Sequence, residues 1–174
     1  LNLIDTILYL IDFRTFSNIW YWLAVMVTWA TVSHWVIGVP FDMIYRARRH
    51  GGQAAQDLEM LTAINVRRLL TITGTPAVVL AGLCAFFLAA AGMLGFVYGL
   101  QLAQGLFCLA FPLVFVFLLT LRTCQRFAVD QPTGADLVKA LFRLRFWIQV
   151  IAMIAIFCTA LLGMYITLSQ RFLF

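Results

Sequence analysis

The stretch LLTITGTPAVVLAGLCAFFLAAAGMLGFVYGLQLAQGLFCLAFPLVFVFLLTL, Leu69 to Leu121, contains no charged residue. A helix crosses the roughly 30 Å hydrocarbon core of a bilayer with about 20 apolar residues, each rising 1.5 Å. This stretch is therefore too long for one crossing and right for a hairpin of two. Glycines cluster between Gly92 and Gly99, which places the turn there and the two spans at about 70–93 and 98–121.

The rest of the chain agrees with that environment. Of its 174 residues 64% are hydrophobic and 11% charged, and the mean hydropathy is +0.98, whereas a soluble domain carries roughly 25% charged residues. Two further apolar runs are long enough to cross, at about 17–39 and 146–168. The expected fold class is an all-α integral membrane protein with four transmembrane helices and short amphipathic interfacial helices, in a single membrane domain over residues 1–174. Leu1, Ile4, Leu8 and Ile11 share a helical face, so residues 1–12 read as an interfacial helix too short to span. Its acids and the lack of a small-residue cleavage site argue against a cleavable signal peptide.

Ser17 or Asn18 is placed to cap the first span, and Trp20, Tyr21 and Trp22 form the aromatic belt of a headgroup region. The span is expected to reach about Val39 and to allow continuation past Pro40. After RARRHGG, the segment AAQDLEMLTAINVRRLL sets Leu58, Leu61, Ile64 and Leu69 on one stripe beside Asp57, Glu59, Arg67 and Arg68, a surface helix leading into the second span. A polar connection with the turn signal DQPTG precedes a short helix and then the last span.

Net charge is +5, and no basic face with interleaved aromatics marks a nucleic-acid partner. The charge sorts by loop instead. Arg46, Arg48, Arg49, Arg67 and Arg68 lie in the first connection, and Arg122, Arg126, Lys139, Arg143 and Arg145 in the third, ten of the 12 basic residues. Both connections are expected at the cytoplasmic surface and both termini on the opposite, periplasmic side. Arg46, Arg48, Arg49, Arg67 and Arg68 are the candidate contacts for anionic phospholipid headgroups. Asp42, four residues before Arg46, is expected to pair with it.

His34 is the sharpest candidate for chemistry, because an ionisable group within a membrane helix is a functional hypothesis by default. With the helix centred near Thr28 it lies about 9 Å toward the cytoplasmic side. Three readings stand: a neutral packing histidine hydrogen-bonded with Gln149 as a possible partner, a contact with a cofactor or quinone held by a partner, and a cofactor-binding residue of its own. A haem held by two histidines lacks its second, since His50 falls in the polar loop. Cys84, Cys108, Cys124 and Cys158 are isolated and read as small apolar packing residues.

Two ridges of small residues are the clearest positive signal. Ala77, Ala81, Ala85 and Ala89 repeat every four residues in the second span, and Ala155, Thr159, Gly163 and Thr167 in the last. Such ridges let backbones approach closely, either inside the bundle or against another subunit. Gln101 and Gln104 add interhelical hydrogen bonds. HExxH, GxSxG, Walker and paired-CxxC motifs are missing, so no catalytic residue, metal ligand or cofactor is assigned and the chain is read as not an enzyme.

FSNIWYW, SHWVIGVPFDMIYRARRHGGQAAQDLE and INVRRLL together resemble a family of small alphaproteobacterial membrane proteins often labelled "component of SufBCD complex". The likeness runs from about Asp5 to Tyr165 and brings no catalytic or ligand residues with it. The label implies a link to iron–sulfur cluster assembly, whose scaffolds are soluble and work through cysteines and nucleotides, while this chain has no cluster-binding motif. The function expected is a non-enzymatic accessory or assembly subunit of a larger bacterial inner-membrane complex, of the energy-converting kind, respiratory or photosynthetic. Its partners would be other integral membrane subunits and anionic phospholipids at the cytoplasmic face. A membrane redox protein using His34, and a small-solute transporter acting as an oligomer, are the alternatives.

Overall fold

The computed structural model describes residues 15–74 and 77–172. The interfacial helix expected over residues 1–12 lies outside them. About 89% of the described residues are helical. A single 3₁₀ turn, Thr15–Ser17, leads into α1 (Ile19–His34), a two-stranded hairpin of β1 (Trp35–Val36) and β2 (Val39–Pro40), α2 (Phe41–His50) and α3 (Gly52–Ile72). Then come α4 (Ala77–Gly92), a π turn at Met93–Val97, α5 (Gln101–Asp130) and α6 (Gly134–Phe172).

Three helical segments are long and apolar enough to cross a membrane: Val78–Val97, Gln101–Asp130 and Gly134–Ser169. The first two are the expected hairpin. Gly99 turns it with φ +73°, and Gly95 lets it close: a Cβ there would sit 2.8 Å from the backbone nitrogen of Gln104. Gln104 donates from Nε2 to the Gly95 carbonyl at 2.8 Å, so the hairpin is fastened at its turn.

Four boundaries differ from the sequence reading. α1 stops at His34 instead of running to Val39, and Asn18 caps its start by accepting from the Trp20 N–H. Ile37 and Gly38 both take positive φ, 55° and 70°, the requirement of a tight hairpin whose strands pair Trp35 with Pro40 and Val36 with Val39. Pro40 has no N–H to continue a helix and disfavours helical geometry in Val39, so the chain restarts as α2 with Pro40 as its N-cap. Val36, Ile37 and Val39 are buried, and Asn65 on α3 donates to the Gly38 carbonyl at 3.1 Å. The interruption is thus seated in the core.

The second span begins at Val78 and not near residue 70, because Leu69 to Ile72 complete the last turn of α3. Thr73 closes that turn by donating its hydroxyl to the Leu69 carbonyl at 2.8 Å. α5 continues beyond residue 121 to Asp130, and ends where Gln131 adopts the left-handed conformation. The short helix expected before the last span is continuous with it, giving one helix of 39 residues.

Buried stripes hold these elements together. α3 turns Leu58, Thr62 and Val66 inward, a strict four-residue repeat that leaves Ile64 exposed, contrary to its expected place on the stripe. Thr62 is tolerated there because its hydroxyl donates to the Leu58 carbonyl at 2.7 Å. Ile44, Leu58, Cys124, Leu141 and Ile148 are the fully buried centre where α2, α3, α5 and α6 meet. This core lies in the half of the molecule that carries the arginines.

Candidate membrane-interface site

Arg46, Arg48 and Arg49 on α2 and Arg67 and Arg68 on α3 are all exposed. They occupy the same end of the bundle as Arg122, Arg126, Lys139 and Arg143, which are also exposed. The expected pair of Asp42 with Arg46 does not form: the only ion pair among the described residues joins Lys139 to Asp136 at 3.5 Å, one turn apart and open to solvent. Exposed pairs of this kind contribute at most about 1 kcal/mol. Both Asp42 and Arg46 are exposed on a short helix, where solvation competes with pairing.

Arg145 is the exception among the basic residues. Its guanidinium lies 3.3 Å from the centroid of the Phe41 ring, Phe41 meets Phe142 edge-on at 5.6 Å, and Arg48 sits 5.1 Å from the Phe142 centroid. The two rings stack edge to face between α2 and α6 with a cation at each end of the series, each ring face attracting a positive charge. The Arg145 Nε is buried without a hydrogen-bond partner, so the aromatic face is its compensation. A second tie joins the surface helix to the last one, as the Glu59 carboxylate on α3 accepts from the Gly134 N–H at the start of α6. A cavity of about 670 Å³ opens beside it, floored by Val66, Phe127 and Leu137, with Arg67 on its wall.

On the other side of α3 lies a cavity of about 480 Å³ between α1, the hairpin, α3 and α5. Val32, Leu69, Leu113, Val116 and Phe117 form its apolar walls, and Asn65 and Arg68 lie among its lining residues.

His34 is exposed at the end of α1, its ring 5.9 Å from that of Trp35. The packing arrangement with Gln149 does not occur: Gln149 is exposed on α6, and no hydrogen bond joins the two among the described residues. No group of three or more His, Cys, Asp or Glu able to hold a metal occurs among the described residues.

The two small-residue ridges part company. Ala155, Thr159 and Gly163 are buried and Thr167 is half-buried. Thr159 and Thr167 donate to the carbonyls of Ala155 and Gly163, at 2.7 and 2.8 Å, and a Cβ on Gly163 would sit 3.0 Å from Phe16. That ridge closes the bundle. Ala81, Ala85 and Ala89 instead face outward, while the side chain of Ala77 falls outside the described residues. Of the cysteines, Cys124 is buried and Cys108 half-buried, whereas Cys84 and Cys158 are exposed and do not pack in the core; all four are free thiols.

Compared with known protein families, curated proteins and solved structures, nothing matches this chain. The contacts that sequence reasoning missed are non-local: Arg145 on Phe41, Glu59 on Gly134, Asn65 on Gly38. A pattern of spacings along one helix carries no trace of them.

Proposed function

We propose that this chain is a non-enzymatic accessory or assembly subunit of a larger bacterial inner-membrane complex, of the energy-converting kind, and that α4 is its docking helix. One observation carries the proposal. From Val78 to Phe87 every residue of α4 is exposed, on all sides of the helix, and it is held at its far end, where Gly92 packs against Phe107 and the turn beyond closes at Gly95 on Gln104. Apolar area gives no driving force between helices in lipid, so association needs surfaces that pack closely. Ala81, Ala85 and Ala89 supply such a surface, and Phe86 and Phe87 flank it with contact area.

The same reading makes α1 a fourth, short span. Its 16 residues extend about 24 Å. Tyr21 near its start donates to the Gly105 carbonyl at 3.2 Å, and Val32 near its end shares a cavity with Leu113 and Val116, so it lies beside the part of α5 between Gly105 and Val116. Four crossings return both termini to the periplasmic side and leave the exposed arginines at the cytoplasmic surface, against anionic lipid.

Purification in mild detergent, with identification of comigrating proteins, tests the role. A heterologous membrane subunit should accompany the native chain, and Ala85→Phe should release it without disturbing the chain's own melting. A lone monomer or homodimer under several mild conditions refutes the proposal.

A further inference from the structure

The cavity between α1, α3 and α5 has the two-part chemistry of a glycerophospholipid, and we infer that it holds the phosphate of one anionic phospholipid at Arg68 and an acyl chain along Leu113, Val116 and Phe117. This inference does not rest on the docking role of α4.

Arg68 is exposed, and no ion pair or hydrogen bond engages it among the described residues. No acidic residue lines the cavity. An unpaired guanidinium offers five N–H donors in a planar fork, a geometry suited to two oxygens of one phosphodiester. Asn65 stands beside it three residues back on the same helix; its Nδ2 is committed to Gly38, which fixes the amide so that its oxygen is left to accept from a headgroup hydroxyl.

Away from that polar pair the walls are Val32, Ile37, Leu69, Leu113, Val116 and Phe117. The volume of about 480 Å³ falls in the roughly 300–1,000 Å³ range of ligand sites. The apolar part runs along α5, a helix apolar enough to cross a membrane, and the arginine lies at the end where the basic residues gather. A lipid with its head at the surface fits in that direction. Free phosphate would use Arg68 and leave the apolar walls uncovered.

The test uses the full chain in mild detergent, titrated with phosphatidylglycerol or phosphatidylcholine and read by native mass spectrometry. One phosphatidylglycerol should be retained in preference to phosphatidylcholine. Arg68→Gln should weaken that retention about tenfold, the loss expected for one charge-assisted hydrogen-bonding group, while Lys139→Gln on α6, a cation outside the cavity that is paired with Asp136, should leave it unchanged. Leu113→Trp narrows the apolar part and keeps every charge, so it should also abolish the preference. As a check that does not depend on that variant folding, phosphatidylglycerol carrying a photoreactive group in its acyl chain should label Leu113, Val116 or Phe117. Equal retention of the two lipids, an Arg68→Gln variant that retains phosphatidylglycerol normally, competition by inorganic phosphate, or labelling spread evenly over the spans would each overturn the assignment.

Discussion

Gly95 to alanine is the perturbation whose magnitude the structure defines best. An added Cβ would stand 2.8 Å from the Gln104 nitrogen, 2.9 Å from its Cγ and 3.1 Å from its Cα. Two of those three atoms are backbone, so no side-chain rotation relieves the clash and the α4–α5 hairpin must open. Overpacking of this kind costs roughly 1–3 kcal/mol. Opening also stretches the 2.8 Å bond from Gln104 to the Gly95 carbonyl, a loss of about 0.6–1.7 kcal/mol for an interhelical bond in a membrane protein. The intrinsic helix preference of alanine returns about 1 kcal/mol, leaving a net destabilisation of roughly 2 kcal/mol.

Gly82→Ala is the matched control, since nothing lies within 4 Å of its added Cβ and only the gain of up to about 1 kcal/mol remains. The two variants should therefore differ by roughly 3 kcal/mol, on the order of a hundredfold in the folding equilibrium. Equilibrium unfolding of the purified chain in bicelles, by steric trapping, measures that difference. Equal stability of Gly95→Ala and Gly82→Ala would refute the close approach and with it the fastening of the hairpin.

Other outcomes follow from the interface. In a background with Cys84, Cys108, Cys124 and Cys158 replaced, Cys at Gly52 or Thr133 should resist an impermeant thiol reagent on intact cells, and Cys at Tyr98 should react once the outer barrier is opened; labelling at Gly52 from outside would invert the proposed topology. Arg145→Ala should lower stability by about 1–2 kcal/mol through loss of the Phe41 contact, measured by thermal melting. Arg145→Lys should restore only part of that, because an ammonium does not stack as a planar guanidinium does. His34→Ala, at an exposed position without a hydrogen bond among the described residues, should shift stability by no more than about 0.5 kcal/mol and leave the absorption spectrum of the purified chain unchanged.

How far the sequence could be read depended on the range of each interaction. The hairpin around Gly92 to Gly99 was visible because length, apolarity and glycine clustering are properties of consecutive residues. The end of α1 was less so: Pro40 signalled a break, but nothing in WVIGVP states that Ile37 would take positive φ, which a β-branched residue adopts only when its surroundings over-determine it. Here burial of Val36 and Val39 and the Asn65 bond do so. Identical small-residue spacing gave one ridge turned inward and one outward, since spacing fixes that residues share a face and not which neighbour the face meets. For His34, the last residue of α1, the decisive fact was that its side chain faces away from the core, which the sequence around it does not state.

The freedom of α4 has a mechanical consequence. α5 and α6 are locked to α1 and its leading turn through Tyr21 on Gly105 and Phe16 on Gly163, but α4 is anchored at one end only. A bilayer thinner than its apolar length is met by tilting, at a cost of fractions of a kcal/mol per Å of mismatch, and tilting this arm about Gly95 disturbs no packed side chain between Val78 and Phe87. A change in membrane thickness is thus met at the least packing cost by tilting α4, since α5 and α6 have buried side chains to disturb and α4 has none between Val78 and Phe87.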